Sequence, residues 1–84
     1  MDDDRQPFGS PVRVRIGADN TIRDVKTVKG ACECLTDWPQ AKRGQLYREA
    51  FETCNAVLAG ERSAEDARAA FVAAAEESGL LANR

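Results

Sequence analysis

Three cysteines, fourteen carboxylates and twelve basic side chains carry whatever chemistry this 84-residue chain can do, and it contains no histidine. Without imidazole the commonest general base, the serine–histidine and cysteine–histidine pairs and histidine metal ligation are all absent. Cys32, Glu33 and Cys34, with Cys54 further on, raise the question of a metal. Two residues apart on a helix is about 200°, however, so Cys32 and Cys34 cannot face one ion while the helix persists. Cys32 and Cys54 read instead as small core-filling thiols. Cys34, at the margin of the apolar stripe, is expected to be the accessible one, and no lysine, arginine or helix start lies beside it in sequence to lower its pKa. An odd number of cysteines fits free thiols in a reducing compartment better than a disulfide framework.

Among the carboxylates, Glu65, Asp66, Glu76 and Glu77 fall on the solvated side of a helix and read as surface charge. No glycine-rich phosphate loop, nucleophile elbow or calcium-loop pattern occurs. The expectation is a chain with no catalytic residue, no cofactor and no metal. Arg13, Arg15 and Arg23 have three readings: a wet sheet surface, a protein contact or phosphate binding. The last is weakened because the stacking side chains, Trp38 and Tyr47, do not lie on the strands. Trp38 and Tyr47 flank a helix connection, where they close a core or, if exposed, anchor an interface.

The elements that must hold these residues can be read from periodicity. Met1 to Pro11 is polar, carries Pro7, Gly9, Ser10 and Pro11, and is expected as a flexible arm (1–11) before a single compact domain (12–84). Val12-Arg13-Val14-Arg15-Ile16 alternates strictly, which predicts a half-buried strand over 12–16. Gly17 to Asn20 supplies a turn, and a returning strand runs over about 21–25. No straight register buries both Ile22 and Val25 beside the first strand's apolar face, so a β-bulge near Arg23-Asp24 is predicted; an exposed Ile22 near the turn would make it unnecessary.

After Val25 the period becomes helical. Thr27 is an N-cap, Val28, Ala31, Cys32, Leu35 and Trp38 form a stripe, and Pro39 stops the element, giving a helix over about 28–37. A second helix over about 45–59 gathers Leu46, Tyr47, Ala50, Phe51, Cys54, Val57 and Leu58 into one wide inward arc. Gly60 ends it. Ser63 with Asp66 opens a third helix over about 64–78 whose inner stripe is Ala67, Ala70, Phe71, Ala74, Ala75 and Ser78, with Gly79 as its stop and Leu80 and Leu81 folding back on the core. The fold class is α+β: a two-stranded antiparallel hairpin followed by three helices in two layers.

The hairpin, Thr27-Val28 opening a helix that closes on Trp38-Pro39, Ala50 and Cys54 on a second helix, Gly60, and Ala67-Arg68-Ala69-Ala70-Phe71 with Ala73-Ala74 together resemble the small bacterial family catalogued as domain of unknown function 982. The likeness runs from Pro11 to Leu81. It implies a compact two-strand, three-helix α+β domain that usually stands alone, and it implies no activity and no catalytic residue.

A net charge of −2 is too near balance to pull the whole molecule toward nucleic acid or an anionic membrane, although Val12 to Gly30 is locally basic and Ser63 to Ser78 acidic. No apolar run reaches the length of a spanning helix and the acidic start is unlike a signal peptide, so a cytoplasmic protein is expected. A two-stranded sheet is marginal alone, and both strands are read as edges offering unpaired backbone groups. The functional expectation is a non-catalytic protein-interaction module that self-associates through the hairpin edge. The alternative is a nucleic-acid-binding regulator using the basic hairpin face.

Overall fold

The computed structural model describes residues 7–16 and 21–82. Strand β1 spans Pro7–Ile16 and pairs antiparallel with β2, Thr21–Thr27. Helix α1 follows over Val28–Thr36, then a single 3₁₀ turn over Gln40–Lys42, α2 over Gln45–Leu58 and α3 over Ala64–Ser78. The α+β class and the three helices agree with the sequence reading. The turn expected over 17–20 lies outside the described residues.

The hairpin departs from expectation in two ways. First, β1 begins at Pro7, so residues 7–11, expected within a flexible arm, belong to the sheet; residues 1–6 of that arm lie outside the described residues. Phe8 is buried, with its ring 6.4 Å from that of Phe71, and this apolar anchor holds the early strand against the helices. Second, the register irregularity is on the other strand. Val12 faces Val25, Arg13 faces Asp24, Val14 faces Arg23, Arg15 faces Ile22 and Ile16 faces Thr21 without interruption, so nothing is inserted at Arg23-Asp24. The register slips between Pro7 and Val12, where five residues of β1 advance against two of β2. Ile22 is 51% exposed, on the wet face beside Arg15, which removes the need for a bulge in β2.

Val12, Val14 and Ile16 all point into the core, as their alternation requires. They share one core with Val28, Ala31, Cys34 and Leu35 of α1, Ala50, Cys54 and Val57 of α2, and Ala67, Phe71, Ala74 and Ala75 of α3. Trp38 closes this core from the α1–α2 connection. Burying each branched aliphatic side chain contributes about 1.5–3 kcal/mol, so the alternating strand is a principal source of stability.

Caps define the helices. The Thr27 Oγ1 accepts the Gly30 N–H at 3.0 Å, and Ser63 with Asp66 forms a reciprocal capping box. Gly79 ends α3 at φ 72°, a left-handed conformation that any side chain would strain. Helix α2 has no capping side chain of its own. Glu77 of α3 accepts the Leu46 N–H at 3.3 Å instead, so this residue, expected as solvated surface charge, satisfies the positive end of α2. The wide apolar arc of α2 is only partly used: Ala50, Cys54 and Val57 are buried, while Phe51 and Leu58 are exposed. Among the described residues no helix is long and apolar enough to cross a membrane.

Candidate functional site: the open edge of the hairpin

The two outer edges of the sheet are not equivalent. Along β1, the segment after Gly79 turns back and pairs antiparallel, Val14 opposite Leu81. The Arg15 N–H donates to the Leu80 carbonyl at 2.8 Å, and the Ala82 N–H donates to the Arg13 carbonyl at 2.8 Å. The sequence reading placed Leu80 and Leu81 on the core but left β1 as an edge; the tail in fact covers it. A two-residue apolar step after a helix-stopping glycine was the available signal.

These bonds also fix which way the β2 backbone points. Since Arg13 and Arg15 turn their backbone groups to the tail, Val12, Val14 and Ile16 turn theirs to β2, meeting those of Val25, Arg23 and Thr21. By the same alternation Ile22, Asp24 and Lys26 direct their N–H and C=O groups outward. Among the described residues nothing pairs with that side.

A shallow hollow of about 630 Å³ opens beside this edge, between Arg23, Asp24 and Val25 on the strand and Gly30, Glu33, Thr36 and Asp37 along α1. Gly30 helps shape it, because a Cβ there would stand 3.3 Å from Thr27 Oγ1 and 3.9 Å from Val25 Cγ1. At its far end the Arg23 guanidinium bonds Asp37 Oδ2 at 2.9 Å, and this contact raises the arginine's pKa. Asp37 was not singled out by the sequence; it lies 14 residues from Arg23 and only the docking of α1 on the hairpin brings the two together.

The five residues expected as interaction candidates divide accordingly. Arg13 and Arg15 lie on the wet face, and Arg13 bonds Asp24 Oδ1 at 3.1 Å. Arg23 does not join them: it faces Val14, on the other side of the sheet, and belongs to the hollow. Trp38 is 1% exposed, with its Nε1–H donating to Ser78 Oγ at 3.2 Å and its ring edge-on to Phe71 at 5.8 Å. It closes the core and presents no anchor. Tyr47 is half-buried; its hydroxyl donates to the Leu35 carbonyl at 3.1 Å, and its ring is met by the Arg43 guanidinium at 5.2 Å and the parallel ring of Phe51 at 6.2 Å.

The thiols reverse one expectation. Cys34 is buried and Cys32 is the partly exposed one. Burial raises the pKa of Cys34, and the nearby Arg23 only partly opposes it. Burial also raises that of Cys32, and pushes Cys54, in contact with Cys32, up to about 12. A raised thiol pKa means less thiolate and slower nucleophilic chemistry near neutral pH. Among the described residues no three metal-ligating side chains converge.

Residues 10–82 match the family described as Protein of unknown function (DUF982), and the chain belongs to that family. No curated protein and no solved structure matches it.

Proposed function

We propose that this member of the DUF982 family is a non-catalytic interaction module that takes a further β-strand on the open side of β2, and that its first partner is a second copy of itself. The observation that carries the reading is the asymmetry of the sheet. The tail covers β1 at Arg13 to Arg15, while Ile22, Asp24 and Lys26 direct backbone groups that no described residue pairs with toward the side of a hollow that leaves room for another strand. Strand addition supplies main-chain hydrogen bonds to such an edge, and a two-fold axis makes one edge its own complement.

The absence of catalysis is part of the proposal. Four of the ionisable groups at this site, Arg13 with Asp24 and Arg23 with Asp37, are held in mutual surface ion pairs. The cysteine thiols are shifted away from reactivity. Phosphate recognition by the hairpin has less support than strand addition, because Arg23 does not share a face with Arg13 and Arg15 and two of the three guanidiniums already hold carboxylates.

The test is sedimentation equilibrium of the intact chain from micromolar to millimolar concentration, beside Asp24→Pro. The Asp24 N–H points outward, so proline there removes an edge donor without taking a bond from the β1–β2 ladder. The wild type is expected to be a dimer and the proline variant a monomer with unchanged circular dichroism. Asp24→Asn, which loses the carboxylate charge but keeps the N–H, is expected to weaken the dimer and still form it where the proline variant does not. A wild-type chain that remains monomeric across the range overturns the reading.

A further inference from the structure

We infer that two copies pair through β2 in the register centred on Val25, with Asp24 of each facing Lys26 of the other. This rests on the strand-addition reading and specifies it. A two-fold axis normal to the sheet leaves three registers in which a central residue of β2 faces its own copy and the outward-pointing groups of Ile22, Asp24 and Lys26 still meet. Their side-chain consequences differ.

Centring on Asp24 pairs all seven residues of β2 but places two carboxylates directly opposite. Centring on Arg23 places two guanidiniums opposite, in the kind of pair where side chains approach most closely. Like charges directly across a strand pair are destabilising. Centring on Val25 puts Val25 against Val25 of the partner subunit and Arg23 against the partner's Thr27. It also brings Asp24 to the partner's Lys26 twice, once on each side of the axis. The charges needed for this are on hand: Lys26 is exposed and makes no ion pair among the described residues, and Arg13 engages only Oδ1 of Asp24.

The hollow is placed for the same register. Val25 lines it, Gly30 opposite carries no side chain, and a partner valine arriving level with Val25 extends the buried apolar surface under α1. In the register centred on Arg23 the two guanidiniums face each other beside the Arg23–Asp37 pair, and Glu33 of α1, which also lines the hollow, offsets that repulsion only in part.

Two measurements separate the registers, both on the full-length chain with folding followed by circular dichroism. Lys26→Asp sets a new carboxylate against Asp24 of the partner subunit twice per dimer, and is expected to raise the dimer dissociation constant by about tenfold. The other two registers put Lys26 against Ile22 of the partner subunit or leave it unpaired, so the same change does nothing there. Mixing Lys26→Asp with Asp24→Lys restores association as a heterodimer, since each then offers what the other lacks. Independently of charge, Val25→Cys gives an intersubunit disulfide under a mild chemical oxidant that removes two electrons and two protons, while Arg23→Cys does not; peptide mapping identifies the bridged residues. A dimer that tolerates Lys26→Asp, or that bridges through Arg23→Cys, overturns the register and leaves strand addition standing. A wild-type monomer removes both.

Discussion

The β1 and β2 edges of one small sheet have met the same physical problem with different solutions. On β1, three tail residues and two backbone hydrogen bonds occupy the strand's C-terminal part, from Arg13 to Arg15, and Leu80 is buried as they do so. On β2 the flank is occupied by a polar hollow and an arginine–aspartate pair, and the backbone groups of alternate residues remain outward. An unpaired edge is a template for another chain unless something blunts it. Here a covering segment protects part of one edge, and the other presents mixed charges.

Breaking the covered edge is expected to have the largest effect. Leu80→Ala empties a buried site and loosens the segment that holds Arg13 and Arg15, so urea unfolding is expected to show a loss of about 2–4 kcal/mol. The variant also exposes β1, and its sedimentation is expected to show species larger than those of the wild type. If the variant is destabilised yet associates no further, the tail contributes packing and does not guard the edge.

An alkaline ramp probes the core beneath both edges and so tells edge damage from core damage. Cys54 stands at about 12 against an ordinary 9.0, because burial penalises its thiolate. A group whose folded pKa is raised contributes stability that is fully present below the unfolded value and is lost as pH rises toward the folded one. Unfolding free energy is therefore expected to fall as pH rises above 9 toward 12. Cys54→Ala makes that slope shallower, with the raised thiols of Cys32 and Cys34 supplying the remainder, and Leu80→Ala leaves it in place. An unchanged slope in Cys54→Ala would show that the thiol is not its source.

At the open edge the smallest change is expected. Arg23 and Asp37 are both roughly half exposed, so Asp37→Ala costs about 0.5 kcal/mol in low salt and less at high ionic strength. A loss of several kcal/mol would mean that β2 depends on this pair as β1 depends on its tail, and the contrast between the edges would fail.

Local pattern and long-range placement were legible to different degrees. The alternation of Val12, Val14 and Ile16 specified an inward face, and Thr27, Ser63, Gly60 and Gly79 marked helix ends to within a residue or two. Phe8 was passed over because one aromatic among proline and glycine has no period, yet it reaches Phe71 across the core. The exposed Phe51 and Leu58 show the converse error, in which a periodic apolar position finds no neighbour to cover it. Cys34 is inside and Cys32 partly exposed because the two lie at opposite margins of the α1 stripe, where packing against neighbouring elements, and not the period, decides which thiol is covered.

What the amino-acid order determined by itself is the set of elements, their caps and the side of the strand that goes inward, since each depends on residues a few positions apart. The tertiary structure alone decided that Leu80 to Ala82 would close β1 at Arg13 to Arg15, that Arg23 would cross to Asp37 and leave its fellow arginines, and that among the described residues β2 would be the edge left open. The tail and β1 are more than sixty residues apart in the chain, and which backbone donors are already satisfied is settled only when all the segments that compete for them have packed.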